Sequence, residues 1–238
     1  MSTTLRIDGR EVPFTEGQTI MEAANAAKIY IPHLCHHPDL PPHGSCKLCT
    51  VKVNGRNCSA CTFPAMAGQE VLSETEELVN DRRKITQMLF VEGNHFCPSC
   101  EKTGNCQLQA VAYYLNMLDS HFPHFYAQRE VDASHAEIMI DHNRCIFCTL
   151  CVRASRKMDG KDVFAISGRG INKHLIINAS TGKVKDSEIA VDDAAAHICP
   201  TGAIVIKRTG YELPIGQRVY DYRKIDQVSL EAEQSHDE

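Results

Sequence analysis

The amino-acid sequence predicts an α+β protein whose small domains are built around three groups of cysteines. The chain has 238 residues and 12 Cys, and all of these except Cys58 fall into three groups that are well separated along the sequence. Short stretches with strand or helix periodicity alternate around the groups. With 43% apolar residues, the chain can form two or three small domains, each with a modest core.

Composition and charge exclude several classes of protein. The N-terminal residues contain no apolar segment typical of a signal peptide, and no apolar run approaches the roughly 18 residues that span a bilayer. Cysteines at short spacing without a signal peptide favour metal binding over disulfides. A net charge of −5 with scattered Lys and Arg argues against nucleic acid as the main partner. We therefore expect a cytoplasmic redox protein without a membrane or nucleic-acid partner.

The first segment, residues 1–78, has the element order of a plant-type ferredoxin, which is a β-grasp sheet with one packed helix. Asp8-Gly9 and Asn54-Gly55 are typical hairpin turns, and Thr19-x-x-Glu22 is a capping box that opens a helix. The predicted strands and helix, in chain order, are Thr4–Ile7, Glu11–Phe14, Ile20–Ala27, Thr50–Val53 and Glu70–Leu72.

The first cysteine group lies in this segment and predicts a [2Fe–2S] cluster. Plant-type ferredoxins bind such a cluster through Cys-x4-Cys-x2-Cys and a distant fourth Cys. Cys35, Cys46 and Cys49 follow this order with a longer first interval, which the loop 38–44, with three Pro and a Gly, can accommodate.

Two details of this group concern its loop and its fourth ligand. Gly44 and Ser45 leave room for backbone N–H groups to turn toward sulfur. The spacing Cys58-x-x-Cys61 is itself typical of metal ligands, so the spacing alone leaves both cysteines as candidates.

The second segment, residues 79–120, is predicted to be helical. Ser73-x-x-Glu76 is expected to cap its first helix, and a second apolar stripe predicts a helix over about 105–118. The second cysteine group, Cys97-x2-Cys100-x5-Cys106, lies between these helices.

Three cysteines are one ligand short of a [4Fe–4S] site, so a fourth ligand must come from elsewhere. His95 is the nearest candidate, and Cys58 and His121 are the alternatives. A neutral imidazole leaves less negative charge on the site than a thiolate and tends to raise the potential of the cluster.

The third segment, residues 121–210, carries a divided ferredoxin motif. Bacterial ferredoxins carry Cys-x2-Cys-x2-Cys-x3-Cys-Pro twice, and the fourth Cys of each run ligates the cluster of the other run. Here the first run lacks its fourth Cys, and the second run retains only its last. A single [4Fe–4S] cluster in a halved bacterial-ferredoxin-like domain is therefore predicted, with the ligands Cys145, Cys148, Cys151 and Cys199.

The same segment is predicted to combine strands with short helices. A helix is expected after Cys151, and the other predicted elements are strands 137–140, 163–167 and 174–178, helix 192–197 and strand 203–207. The polar residues 211–238 carry no cluster ligand and are expected to form an extended arm or a frayed tail.

Other cofactor motifs are missing from the sequence. No Gly-x-Gly-x-x-Gly follows a strand, because Gly168-x-Gly170 lacks the third Gly, and no Walker-type loop occurs. The scattered His residues form no nucleophile–base pair. The sequence thus indicates electron transfer, with no substrate chemistry on this chain.

The three groups in this order resemble the N-terminal part of the large iron–sulfur subunit of respiratory complex I, and the front of iron-only hydrogenases. The resemblance covers about residues 1–210, and a chain of this length looks most like the small iron–sulfur subunit of cytoplasmic NAD-reducing nickel–iron hydrogenases. It rests on the motifs Pro32-His33-Leu34-Cys35, Gly44-Ser45-Cys46-Lys47-Leu48-Cys49, Cys97-Pro98-x-Cys100, Gly104-Asn105-Cys106, Cys145-Ile146-x-Cys148-x-x-Cys151 and Cys199-Pro200-Thr201-Gly202.

The resemblance bears on two of the open ligand positions. It implies that Cys61 is the fourth ligand of the first group, because Cys61-Thr62-x-Pro64 is similar to the family's ligand segment, and it leaves Cys58 as a small buried hydrophobe. The family's His usually sits four residues before the three-Cys set, where this chain has Gly93. A role for His95 therefore requires a different path of the loop.

The resemblance also implies partners and a direction of electron flow. A flavin subunit that binds FMN and NAD is expected to face the [2Fe–2S] site, and small and large nickel–iron hydrogenase subunits are expected on the other side. Hydrogen oxidation would then be coupled to NAD+ reduction in a hetero-oligomer. The alternatives are the equivalent subunit of an NAD-linked formate dehydrogenase or of a truncated complex I and, more remotely, a zinc-ribbon binding protein.

Overall fold

The computed structural model describes residues 3–119, 121–210 and 212–232. In these residues the chain forms two compact units, each made of more than one segment. The first unit contains residues up to 87, residues 111–118 and residues from 223 onward. The second unit runs from 88 to 110 and from 119 to 222.

The first unit contains a mixed five-stranded sheet. Its strands are β1 (Thr4–Ile7), β2 (Arg10–Pro13), β3 (Thr50–Val53), β4 (Arg56–Ser59) and β5 (Glu70–Leu72). Their order in the sheet is β2-β1-β5-β3-β4, in which β1 pairs in parallel with β5 and the other neighbours are antiparallel. Both predicted hairpins are confirmed, and Asp8-Gly9 and Asn54-Gly55 have the positive φ angles of tight two-residue turns.

Helix α1 (Ile20–Ala26) covers this sheet with its apolar residues. The predicted capping box is confirmed, because Thr19 accepts from the backbone N–H of Glu22 and the Glu22 side chain accepts from that of Thr19. Ile20 and Met21 are fully buried in one core with residues of the sheet. Cys49 and Cys61 belong to the same core, which ties the first cysteine group to the hydrophobic core of the unit.

Helix α2 (Glu76–Glu92) begins differently from the prediction. The hydroxyl of Thr75 accepts from the backbone N–H of Leu78 at 3.3 Å, so Thr75 is the cap. The prediction that Ser73 caps this helix is wrong. Ser73 is fully buried, and its carbonyl and hydroxyl accept instead from the guanidinium of Arg82.

Helix α3 (Gln107–Tyr114) is shorter than predicted. Asn116 adopts a left-handed φ of 53° and ends the helix, and the N–H of Met117 donates back to the carbonyl of Ala112 at 2.8 Å. This Schellman-type ending gives the last carbonyls of the helix their hydrogen-bond partners. The helix therefore ends before the apolar stripe, which continues to about residue 118.

The second unit contains a three-stranded sheet, a separate hairpin and two short helices. The elements are β6 (Val131–Asp132), β7 (Ile138–Asp141), α4 (Leu150–Lys157), β8 (Phe164–Ser167), β9 (His174–Ile177), α5 (Ala194–His197) and β10 (Ile204–Ile206). The sheet has the order β10-β7-β6, and the hairpin pairs β8 with β9. All of these elements except the two-residue β6 were predicted within a few residues.

A final helix, α6 (Ile225–Ala232), lies in the first unit and was not predicted. Ile225 is buried, and the Gln227 side chain accepts from the backbone N–H of Lys224. Residues 225–232 therefore form a helix. The arm or tail predicted over 211–238 also includes residues that lie outside the described ranges. Among the described residues, no helix is both long and apolar enough to cross a bilayer.

Candidate metal centres

The first site consists of Cys35, Cys46, Cys49 and Cys61, which the first unit brings together as two pairs. The backbone N–H of Cys46 lies 3.5 Å from the Sγ of Cys35, and the two thiols are also hydrogen-bonded. The Sγ atoms of Cys49 and Cys61 lie 3.4 Å apart. Three of the four are buried, and Cys46 is half-buried.

Backbone N–H groups point at the sulfurs of this site, as the glycine-containing loop predicts. Those of Ser45 and Cys46 donate to Cys35, and that of Gly44 donates to Cys61. The hydrogen bond from the Cys46 side chain, together with these amides, lowers the pKa of Cys35 to about 4. Gly44 has a φ of 68°, and a Cβ there would lie 3.1 Å from Thr62, so the loop requires glycine at this position.

Arg82, a residue of α2, is hydrogen-bonded to the loop that carries Cys46 and Cys49. Its side chain is 1% exposed and donates to the carbonyls of Leu48, Thr50 and Ser73 at 2.7–3.0 Å. Leu48 lies between two cysteines of the site, so α2 fixes the loop through a charged group. Sequence analysis missed this role, although Arg82 occupies an apolar position of the helix, four residues after buried Leu78.

Cys58 lies apart from the first site. It is in β4, and its thiol donates to the carbonyl of Arg56 at 3.5 Å. It is half-buried and packs against the core of the unit. Burial raises the pKa of its thiol, with no contribution from another cysteine.

The middle site, in the second unit, surrounds a cavity with an empty volume of about 310 Å³, including space open to solvent. The cavity is lined by His95, Cys97, Cys100 and Cys106 together with apolar residues and Arg144. Cys106 is buried, and burial raises the pKa of its thiol to about 12. The lone histidine and the three cysteines predicted for this site therefore face one space.

His95 reaches this cavity because the residue two positions earlier is glycine. A Cβ on Gly93 would lie 2.5 Å from the Nε2 of His95, so a side chain there would displace the imidazole. The Nε2 atom is buried and has no hydrogen-bond partner among the residues that the structure describes. Burial, aided by the charge of Arg144, lowers the pKa of His95 to about 4, which keeps the ring neutral and able to bind a metal.

The other candidates for the fourth position do not line this cavity. His121 has a side chain 73% exposed and lies 3.4 Å from a carboxylate oxygen of Asp119. Cys58 belongs to the first unit.

The third site surrounds a second cavity, with an empty volume of about 360 Å³. Cys145, Cys148, Cys151 and Cys199 all line it, so residues far apart in sequence meet at one space. Phe147 and Thr149 have left-handed φ angles of 53° and 64°, which turn the chain around the cavity between successive cysteines. Burial raises the pKa values of Cys145 and Cys151, the former to about 11.

A segment near residue 220 closes over the loop of the middle site, a role that sequence analysis missed. The guanidinium of Arg218 donates to the carbonyl of Thr103 at 3.1 Å, and the N–H of Tyr220 donates to the carbonyl of Gly104 at 2.9 Å. Asp221 accepts from the backbone and the side chain of Arg218, and this contact lowers the pKa of Asp221 to about 2. Residues without any ligand role thus support the Cys106 loop.

Each of the three sites is a cavity or a cluster of thiols, and not a compact set of ligands around a single metal ion. Among the described residues, no three His, Cys, Asp or Glu side chains are arranged to hold a single metal ion.

Comparison with known proteins covers each of these sites. Residues 1–76 match the 2Fe-2S iron-sulfur cluster binding domain, residues 82–121 the NADH-ubiquinone oxidoreductase-G iron-sulfur binding region, and residues 138–206 the 4Fe-4S single cluster domain. Along its length, the chain is 42% identical to the gamma subunit of the NAD-reducing hydrogenase HoxS of Cupriavidus necator, over 98% of this chain and 99% of that one. The chain belongs to this family of NAD-reducing hydrogenase subunits.

A solved structure supports this membership. The chain superimposes with a TM-score of 0.93 and 49% identity on a chain of an NAD+-reducing [NiFe]-hydrogenase in the H2-reduced state, over 97% and 98% of the two chains. The family predicted from the cysteine motifs is thus confirmed, as is the presence of 2Fe-2S and 4Fe-4S domains in an α+β protein.

Longer proteins match the same region. The alpha subunit of the NADPH-Fe(3+) oxidoreductase of Geobacter sulfurreducens is 31% identical over 86% of this chain. The mitochondrial NADH-ubiquinone oxidoreductase 78 kDa subunit of Candida albicans is 30% identical over 84% of it. The matched regions make up 24% and 28% of the length of these two relatives.

Proposed function

We propose that this chain relays electrons through one [2Fe–2S] and two [4Fe–4S] clusters, between a nickel–iron hydrogenase module and a flavin subunit that binds NAD. In this role it is a non-catalytic subunit of a hydrogen:NAD+ oxidoreductase. The observation that carries the proposal is that three separate sets of ligand side chains are each brought together, in a chain of the HoxS gamma family.

The first site suits a [2Fe–2S] cluster. Such a cluster has two irons, each bound by two thiolates, and the site offers two pairs of thiols, Cys35 with Cys46 and Cys49 with Cys61. N–H groups aimed at the sulfurs stabilise thiolates over thiols and tune the potential of a bound cluster. We assign these four cysteines as its ligands and Cys58 as a packing residue.

The two cavities of the second unit suit [4Fe–4S] clusters. The third site offers four thiols around one space, and the middle site offers three thiols with the neutral Nε2 of His95, which has no hydrogen-bond partner within the described part of the chain. We assign His95, Cys97, Cys100 and Cys106 to the middle site, and Cys145, Cys148, Cys151 and Cys199 to the third. Bound clusters supply one-electron carriers, and the protein holds them, excludes water and sets their potentials.

The assigned sites divide the chain by role. We propose a β-grasp [2Fe–2S] domain over 1–78, a helical domain over 79–120, a halved bacterial-ferredoxin-like domain over 121–210 and a C-terminal segment over 211–238. FMN and NAD belong to the partner, because the chain has no nucleotide-binding motif. Assembly with that flavin subunit and with small and large hydrogenase subunits in the cytoplasm completes the proposal.

A second candidate is the equivalent subunit of a complex I-type or formate-oxidising complex. The match to the NADH-ubiquinone oxidoreductase 78 kDa subunit favours it, but that match covers only 28% of the relative. The gamma subunit of HoxS, in contrast, matches end to end.

Reconstitution of electron transfer tests the proposal. The chain alone should neither bind FMN nor oxidise NADH, and addition of a complex I-type flavin subunit should give diaphorase activity. Addition of a nickel–iron hydrogenase pair should couple hydrogen oxidation to NAD+ reduction. Cys199→Ser should abolish this coupling and leave diaphorase activity largely intact, with Cys58→Ser as the matched control.

Two outcomes would contradict the proposal. Coupling that survives in Cys199→Ser would show that electrons bypass the third site. Isolation of the native complex with a formate dehydrogenase in place of a hydrogenase would favour the second candidate.

A further inference from the structure

Arg144 lies between the middle and third sites. In sequence it directly precedes Cys145, a proposed ligand of the third site, yet its side chain lines the cavity of the middle site. Both cavities belong to the second unit, so one residue contacts the surroundings of both proposed [4Fe–4S] clusters.

The guanidinium of Arg144 is close to a sulfur of the middle site. Its Nη1 lies 3.4 Å from the carbonyl oxygen of Gly202. A Cβ built on Gly202 would lie 3.1 Å from the Sγ of Cys100 and 3.4 Å from this same Nη1. Both atoms lie close to the position that a Cβ at residue 202 would occupy. Glycine at this position therefore leaves room for the guanidinium and the sulfur to lie near each other.

The backbone of Arg144 is tied to the third site. Its carbonyl accepts from the hydroxyl of Thr201 at 2.9 Å, and this hydroxyl lies 3.6 Å from the Sγ of Cys199. The position of the guanidinium is therefore coupled to the loop that carries the fourth ligand of the third site.

A carboxylate holds the guanidinium in place. The Nε of Arg144 lies 3.0 Å from the Oδ2 of Asp141, and the two side chains are 19% and 11% exposed. Asp141 also accepts from the N–H of Asn143 at 3.0 Å, so it is fixed from both sides. Partial burial means that solvent screens these charges less than it screens charges on the surface.

We propose that Arg144 is an electrostatic tuning residue that raises the reduction potential of the middle cluster. The inference rests on the function proposed above. Reduction adds one negative charge to a cluster, and net charge near the cluster is one determinant of its potential. A fixed cation beside Cys100 favours the reduced state, and Asp141, which does not line the cavity as Arg144 does, opposes it with a weaker effect.

This arrangement adds to the effect of His95. An imidazole ligand already leaves the middle site less negative than four thiolates would. A neighbouring guanidinium acts in the same direction, so Arg144 and His95 should both raise the potential of the middle cluster.

Redox titration followed by electron paramagnetic resonance, on the assembled complex, tests the role of Arg144. In Arg144→Gln, we expect the equilibrium between the oxidised and reduced states of the middle cluster to shift tenfold toward the oxidised state. For a one-electron couple this shift lowers the reduction potential by about 59 mV. Arg144→Lys, which keeps the charge, should recover most of the wild-type potential. Asp141→Asn, which removes the opposing charge, should raise the potential.

Arg156→Gln is the matched control. Arg156 lies in α4 of the same unit, but its side chain is 58% exposed and pairs with exposed Asp162, so its loss should leave the potential unchanged.

The outcomes separate this inference from the proposed function. If the wild-type complex lacks a [4Fe–4S] signal at the middle site, the proposed function fails. If the signal is present and its potential is unchanged in Arg144→Gln, the inference alone is overturned. Should Arg144→Gln fail to assemble, Arg144→Met, which keeps the apolar stem of the side chain and removes the charge, decides: a lowered potential supports the inference, and an unchanged or raised one overturns it.

Discussion

At the residue scale, the proposed ligand His95 lies two positions along the chain from the place where the related subunits carry their histidine. The related complex I-type subunits usually carry the histidine four residues before the three-cysteine set, where this chain has Gly93. The absence of a side chain on Gly93 leaves room for the imidazole of His95 beside the cavity of the middle site. Gly93 therefore leaves a space in the loop, and the side chain of His95, two residues later, fills that space.

His95 should be needed for the middle cluster and for no other. His95→Ala should lose that cluster or convert it to a species with less iron, because one of four ligand positions is empty. His95→Cys should retain it at a lower potential, since a thiolate adds negative charge. Iron analysis and electron paramagnetic resonance of the purified chain measure both effects.

The control is His121→Ala, which removes an exposed imidazole of the same unit and should leave all three clusters in place. Unchanged cluster spectra in His95→Ala would transfer the ligand role to another residue, and Cys58→Ser would be the next variant to measure.

The site could be predicted from sequence only as far as its ligands follow local rules. Cysteine spacing predicted the three groups, and proximity along the chain predicted His95 as the fourth ligand of the middle site; the structure places these side chains around the cavities. Arg82 and Arg144 were not predicted, because each meets its backbone partners only in the folded chain. For Arg82, a charged residue on an apolar helix face was the one available signal.

At the scale of elements, α2 supports the first site through a single buried guanidinium. Arg82→Leu should lower the free energy of unfolding of the first unit by about 3 kcal/mol, because each buried carbonyl left without a partner costs roughly 1–3 kcal/mol. Urea denaturation followed by visible circular dichroism of the first cluster measures this. An equal stability in the variant would show that water replaces the guanidinium.

Lys84→Leu is the control for this change. Lys84 is on the same helix with a side chain 62% exposed, and its substitution should change stability by no more than about 0.5 kcal/mol.

The elements that sequence predicted are those specified by local chemistry. Asp8-Gly9 and Asn54-Gly55 fix hairpins, and the capping box at Thr19 fixes the start of α1. The start of α2 was misplaced because the Ser73 side chain serves a tertiary contact with Arg82. Helix α6 was missed because its start at Lys224 carries no Ser, Thr, Asp or Asn cap, so packing of Ile225 rather than local sequence specifies it.

At the scale of the whole molecule, the three proposed sites together predict a cluster content. One [2Fe–2S] and two [4Fe–4S] clusters give about 10 iron atoms per chain. Anaerobic iron and sulfide analysis of the purified complex should return this value for the chain, after subtraction of the metal in its partners. A content near 4 or 6, with zinc in the remaining sites, would contradict the assignment.

The first unit is assembled from three separated stretches of the chain. Tyr114 packs edge-on against Tyr30 at 5.0 Å, the carbonyl of Leu115 accepts from Arg83 at 2.7 Å, and Ile225 is buried within the unit. Domains generally fold as they leave the ribosome, beginning at the N-terminus. Here the first unit lacks its last segment until residue 225 and those after it have been synthesised, so we expect the unit that holds the first site to be completed only at the end of translation.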